Sequence, residues 1–418
     1  MEYGTSVHQK LLQTNHPPTV RIAYIAPYQG KSLRQRRPIL LNLSLAGTAK
    51  IEGVAILLQQ SGSDVEIFSQ GEVIERNWTF YPGFDEANRF HPDIPVSYSS
   101  ALPIPFLNGL WQSWNLLALF KARHRIDPFD LVIIYNLKMP QVMAAHFAIK
   151  QLDLPVIVEY EDLAVAGIDG LPERTFSLNI GYNSRMRKIL REAAGCMACS
   201  PFLLEQFPKN IPKLLIRGVV GADAMRVSLQ KPVIKQNWIL FSGTHYRTKG
   251  IASLIIAWSQ MDLPDWELHI TGDGEETKAL RQLAEPFRNI YFHGVVGTAE
   301  LAMMMATAKI CINPHDLSVT PGNVFAFKII EYLAAGTHVV TTPMGYLEKE
   351  IEIGITYIPN NDPETISKAL LELVRTERWK VTASEQVRNI YGPDALKASL
   401  NDLILRAKSG GNRELRSE

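Results

Sequence analysis

Cysteine is scarce, with Cys196, Cys199 and Cys311 the only three in 418 residues. That number leaves no disulfide framework and points to a reducing compartment, so the expected location is the cytoplasm. Cys196 and Cys199 have CxxC spacing, but no second pair accompanies them. They sit in GCMACS, which reads as a short buried strand, so core packing accounts for them. Net charge is nearly absent as well, at +1 from 43 Lys and Arg against 42 Asp and Glu, which argues against a general polyanion binder or a nucleic-acid partner. No run of 18 apolar residues occurs, so no membrane-spanning helix is expected. The opening MEYGTSVHQKLLQTNHPP is polar and mixed; it reads as a disordered lead-in and has no signal-peptide pattern. No GxGxxG follows any expected strand, which removes the support for a nicotinamide oxidoreductase.

Apolar residues make up 46% of the chain, and the length suits two or three domains. The first half alternates strands and helices. RIAYIAP (Arg21 to Pro27) reads as a buried strand, then a loop carries Gly30, Lys31, Arg34, Arg36 and Arg37. A helix with Gly47 near its start and the strand Asp64 to Ser69 complete a parallel unit. The basic loop follows a strand's carboxyl end, where open α/β sheets bind ligands; a solvated charged loop fits it equally.

Phe106 to Arg125 reads as an amphipathic helix with Trp111, Trp114, Leu117 and Phe120 on one side and Lys121, Arg123 and Arg125 closing it. Such a helix faces a core or lies on an anionic membrane surface. PVIVEYED ends in Glu159, Glu161 and Asp162, carboxylates at a strand's end that suit acceptor recognition or acid–base work. Buried together, at least one of them would titrate high. A helix from Asn183 to Ala194 and the strands GCMACS and Leu214 to Gly221 follow.

The alternation restarts at Asn237. The chain therefore divides into a Rossmann-like domain at 18–221, a linker at 222–236, a second Rossmann-like domain at 237–385, and a last helix within 386–410 packing back on the first. The fold class is α/β, with two doubly wound domains facing across a cleft. The second domain centres on NVFAFKIIEYLAAG (Asn323 to Gly336), read as a helix capped by Asn323 and ended by Gly336, with the strand Thr337 to Pro343 behind it. Lys328 and Glu331 share one helical face. Free amide hydrogens and a positive dipole at the helix start, then a lysine, then a carboxylate, suit a phosphate with a ribose beside it. A plain amphipathic helix with both charges in water fits the same residues.

From Trp238 to about Val374 the chain resembles the retaining nucleotide-sugar glycosyltransferases of family four, which have the GT-B fold. Four segments carry the resemblance in order: SGTHYRTKG with Gly243 and Lys249, ITGDGEE with Gly272, FHGVV ending at Val296, and NPHDLSVTPGNVFAFKIIEYLAAGTHVV. It implies that Lys249 binds the donor's diphosphate with Lys328 helping, that Glu331 holds the ribose, and that Val296 and its neighbours meet the base. Val324 and Phe325 fall in the donor segment. Asn323 stands where the family usually has a glutamate that contacts the transferred sugar. Thr244 stands where many members carry arginine, a role open to Arg247. Glu161 lies near the position of a family histidine, and Gly30 or Gly47 corresponds to a glycine loop near the donor.

The expected function is hexosyl transfer with retention, catalysed through Lys249, Glu331 and Glu161. The donor would be a UDP- or GDP-sugar, with no metal required. The acceptor would be a glycan, a lipid-linked group or a small molecule, with peripheral membrane contact as the minority reading. The alternative is a catalytically degenerate GT-B protein that binds a nucleotide sugar or serves as a partner subunit.

Overall fold

The structure is a computed structural model of the chain and describes residues 19–37, 45–71, 73, 79–104, 108–161, 176–221, 227, 233–318 and 325–410. Two sheets divide it. The first is built from β1 (Arg21–Ile25), β2 (Asp64–Ser69), β3 (Phe84–Asp85), β4 (Val96–Tyr98), β5 (Leu131–Tyr135), β6 (Val156–Tyr160), β7 (Gly195–Ala198) and β8 (Lys213–Leu215). Its order is β3-β4-β2-β1-β5-β6-β7-β8, parallel except for the β3–β4 pair. β5 and β6 are buried along their whole length, because helices cover both faces of a parallel sheet and leave no solvated side.

The second sheet holds β9 (Gln236–Ser242), β10 (Glu267–Thr271), β11 (Ile290–Gly294), β12 (Ala308–Asn313), β13 (His338–Thr341) and β14 (Ile355–Tyr357). Its order is β11-β10-β9-β12-β13-β14, all parallel. The strand order reverses between β9 and β12, and such a reversal opens a crevice at the carboxyl ends of the strands.

Several elements differ from expectation. The strand expected over Leu214 to Gly221 stops at Leu215. Beyond it the backbone carries Arg217 into the junction between the sheets. The helix expected from Asn183 starts at Phe176 and ends at Glu192. The helix Asn108–Ile126 buries Gln112, Ser113, Leu116 and Phe120, while Trp111 and Trp114 are 38% and 66% exposed. A spacing of three falls short of the 3.6-residue turn, so Trp111, Trp114, Leu117 and Phe120 drift around the helix and share no face.

At the carboxyl end of the chain, Val387 and Tyr391 of the helix Ser384–Tyr391 pack in the second domain. The helix Pro393–Gly410 instead lays Leu396, Leu400, Leu403, Ile404 and Ala407 on the first sheet's core. The chain thus crosses back at Gly392, later than the division at 385.

Candidate functional site

Two interlocked turns stand at the carboxyl edge of the second sheet. β9 runs into Gly243 at φ +142°, and a Cβ there would lie 2.6 Å from Lys328 Nζ. β10 runs into Gly272 at φ +109°, where a Cβ would lie 1.9 Å from the Gly243 carbonyl oxygen. Both positions need a backbone that side chains resist; at Gly272 the Gly243 backbone also fills the space, while at Gly243 a side chain would displace the Lys328 ammonium. The Gly243 amide donates to Thr271 O (3.2 Å) and the His245 amide to Asp273 O (3.0 Å), tying the turns together.

The β9 loop continues as a single turn, Arg247–Lys249, and Gly250 in the left-handed region opens the helix Ile251–Ser259. This loop is fastened to the end of β12. The Asp316 amide donates to Thr248 O at 2.9 Å, and Gly250 leaves no space between its backbone and Pro314 O. Lys249 is thereby delivered to the β9–β12 crevice.

The helix beside it is shorter than the sequence suggests. It spans Lys328–Ala334, with Phe327 at the cap position. Asn323 and Val324 lie outside the described residues, so the capping expectation for Asn323 does too. The amides of Ile329, Ile330 and Glu331 already donate to Ala326 O, Phe327 O and Phe327 O. The expected cradle of free first-turn amides is therefore largely spent on the chain itself. What remains for an anion is side-chain charge.

Lys328 is partly buried as a residue, but its Nζ is shut away from solvent and has no hydrogen-bond partner among the described residues. It lies 4.3 Å from the centre of the Phe241 ring. Burial, reinforced by the charge of Lys249, pushes its pKa down to about 7. Burial pushes Glu331 up to about 7, with Lys328 opposing. An ammonium without partners in a low-dielectric place is costly, and an arriving anion removes that cost.

His315 joins this group. It is 2% exposed, and its carbonyl accepts from Thr342 Oγ1 at 3.0 Å. Burial, then the charges of Lys249 and Lys328, hold its imidazole neutral with a pKa near 3. A neutral imidazole beside two lysines offers a hydrogen bond without adding repulsion. The sequence reading missed it, since the only local signal is its place just after the Asn313–Pro314 end of β12.

The structure therefore gathers Gly243, Lys249, Gly272, Lys328 and Glu331, with His315 added. Thr244 and Arg247 are exposed on the same loop. Val296 stands just past β11. Phe325 departs from the phosphate region: Arg217 stacks over its ring at 4.6 Å.

The first-domain candidates have partners of their own. Glu161 pairs with Lys50, which also donates to Ile216 O at 2.9 Å. Glu159 is fully buried, bonded to the Tyr24 hydroxyl, and held above the ordinary carboxylate range by burial. Asp162 lies outside the described residues. A half-buried carboxylate neutralised by its own buried lysine is poorly suited to move protons, so Glu161 fits a structural ion pair better than a catalytic group.

The basic loop is also occupied. The Arg37 guanidinium donates to the carbonyls of Gly71, Pro82 and Ser99. Arg36 stacks on Phe84 at 4.2 Å. At Gly30 the protein supplies its own anion: Glu86 accepts from the Ser32 amide at 2.7 Å and from the Tyr98 hydroxyl at 2.7 Å. Gly47 lies in the helix Leu45–Gln60. Among the described residues no group of three or more His, Cys, Asp and Glu is placed to hold a metal ion.

Residues 236–376 match the family model described as Glycosyl transferases group 1. The chain is 27% identical over 317 residues to a phosphatidyl-myo-inositol mannosyltransferase of Mycolicibacterium smegmatis, spanning 71% of this chain and 77% of that protein. Among solved structures, sucrose-phosphate synthase from Thermosynechococcus elongatus superposes with a TM-score of 0.67 at 18% identity, covering 94% of this chain and 100% of that one. HepE from Anabaena in complex with UDP gives a TM-score of 0.60 at 15% identity, again over 94% and 100%. At such identities the structural likeness speaks to the fold, which is GT-B, with two Rossmann-like domains.

Proposed function

Through residues 236–376 the chain belongs to the group 1 glycosyl transferases, and from that premise we infer transfer of a sugar from a nucleoside diphosphate sugar seated at the β9–β12 crevice. The observation that carries this reading is the enclosed Lys328 ammonium, without a hydrogen-bond partner among the described residues and next to Lys249.

In this reading the diphosphate lies against Lys249 and Lys328, with His315 as a neutral donor. Both lysines stabilise the negative charge that grows on the diphosphate as the sugar leaves. Glu331 accepts the ribose hydroxyls, and the base lies along the turns at Gly272 and Val296. We assign the acceptor to the first domain and retention to the reaction. The curated relative is named for a phosphatidyl-myo-inositol acceptor and HepE was solved with UDP, which supports a lipid-linked acceptor and a uridine donor. A membrane face fits the same picture. Phe80, Trp111 and Trp114 are exposed, and Phe80 meets Trp111 edge-on at 6.3 Å.

Asn323, at the family's sugar-contacting glutamate, favours a second reading as a binding protein without turnover. Thermal-shift titration with UDP, GDP and ADP identifies the nucleotide, and donor hydrolysis by the purified chain separates transferase from binding protein. Lys249→Ala is expected to slow turnover roughly tenfold to a hundredfold, the worth of one charge-assisted contact made in the transition state. Turnover at the wild-type rate would refute the assignment.

A further inference from the structure

The segment that carries Lys328 into the crevice is fastened from outside its own domain. Arg217 lies on the crossover just beyond β8 and is 1% exposed. One arm donates to Cys199 O at the end of β7 (2.9 Å), and another to Gly345 O of the second domain (2.7 Å). Its Nε donates to Glu350 at 3.2 Å, and the Tyr391 hydroxyl bonds the same carboxylate. The guanidinium lies 4.6 Å from the centre of the Phe325 ring. A side chain at Gly345 would have to occupy this contact, since a Cβ there falls 2.9 Å from Arg217 Nη1 and 3.2 Å from Phe325 Cδ2.

The adjacent residue repeats the arrangement. At Gly218 a Cβ would lie 2.3 Å from the Phe327 ring, so that ring rests directly on the crossover backbone. Phe325 and Phe327 are thus both held by residues 217 and 218, and Lys328 follows at once. The first turn closes on the same segment, with the Ile329 amide donating to Ala326 O (3.0 Å) and that of Ile330 to Phe327 O (2.9 Å). Nothing among the described residues hydrogen-bonds the Lys328 ammonium. Its position follows from where the backbone at Phe327 is pinned.

We propose that Arg217 is a positioning residue for the donor site: by holding Phe325 it fixes the Phe325–Phe327 segment, and through it the point at which Lys328 meets the diphosphate. This rests on the donor-site reading above. Arginine suits the task because its planar fork can bond two carbonyls and a carboxylate while its face stacks on a ring; lysine has neither the fork nor the face.

Replacing Arg217 would strand Glu350 without its cation and endanger the fold, so the test is made on the ring. Phe325→Leu keeps the Arg217–Glu350 ion pair and removes the stacked face. Calorimetry on the full chain would compare UDP, GDP and ADP with uridine, guanosine and adenosine. Phe325→Leu is expected to weaken the preferred diphosphate about tenfold, within the worth of a single charge-assisted contact, and to leave its nucleoside unchanged. In a Lys328→Met background the same change should cost nothing further, since two residues acting through one contact are not additive. Phe325→Tyr, which keeps the ring, should bind as the wild type does. Equal losses for diphosphate and nucleoside, or full additivity with Lys328→Met, overturn the proposal while leaving the donor site standing. A wild-type chain that binds none of the three diphosphates overturns the donor site and this inference together.

Discussion

Lys328 and Glu331 respond oppositely to pH in the empty site. Burial lowers the lysine's pKa to about 7, so its charge is present below that pH and lost as pH rises through it. Burial raises the carboxyl's to about 7, so its charge is lost as pH falls. A diphosphate needs the ammonium, and ribose hydroxyls are best accepted by the carboxylate, which narrows donor binding on both sides of neutrality. In Glu331→Gln only the lysine limb remains. Nucleoside diphosphate affinity in that variant should fall about tenfold per pH unit above pH 7, following the charged fraction of Lys328. Calorimetry between pH 7 and 9 reads the slope, and Lys328→Met should flatten it. A slope that persists in Lys328→Met would place the titrating group elsewhere and overturn the role given to Lys328. The sequence made Lys249, Lys328 and Glu331 legible because strand-end glycines and helical spacing are local signals. The Lys50–Glu161 pair was hidden by a separation of 111 residues, and His315 takes its character from its burial and then from the two lysines beside it, neither of which is a local signal.

At the scale of elements, apolar periodicity located the helix at Lys328 but overran its start. Phe325 and Phe327 look like the first turn of an amphipathic helix, yet their rings are spent on Arg217 and Gly218, a use that no local pattern encodes. The strand expected through Gly221 failed for the same reason, since Arg217 and Gly218 serve the junction. The glycine turns were better marked, because their chemistry lies in the residue itself. Gly272 sits at φ +109° with the Gly243 carbonyl oxygen 1.9 Å from where a Cβ would stand. Gly272→Ala should therefore force the two turns apart and destabilise the protein by about 2–4 kcal/mol, backbone strain accounting for part and the clash for the rest. Chemical denaturation measures the loss. Any nucleotide binding that survives should also be weaker, because the same displacement moves Gly243 away from Lys328. A Gly272→Ala protein as stable as the wild type would mean that the turns yield without strain.

At the scale of the whole molecule, strand–helix alternation twice over was enough to give two doubly wound sheets. It did not reveal which faces stay uncovered, because that depends on how helices fall on a finished sheet. The helix Asn108–Ile126 is the clearest case. Its solvent side presents Trp111, Trp114, Ala118, Ala122 and Arg125, and the helix contains no acidic residue. Arg123 is turned inward to Asp85 and Glu66, and Lys121 lies over Phe147 at 4.1 Å, so Arg125 is the most outward of its cations. Exposed tryptophans beside a cation suit the boundary between lipid headgroups and acyl chains. Among the described residues no helix is long and apolar enough to cross a membrane, so contact here would be peripheral. The chain should float with vesicles rich in anionic phospholipid. Trp111→Ser with Trp114→Ser should lower that partition about tenfold or more, since burial of two such rings is lost. Salt should weaken binding further through Arg125, with most of the effect complete by about 0.5 M as the Debye length shortens. Nucleotide binding in solution should be unchanged in the double variant, because neither tryptophan touches the β9–β12 crevice. Flotation equal to wild type would leave these tryptophans as ordinary surface residues, and the acceptor would then have to reach the first domain by another face.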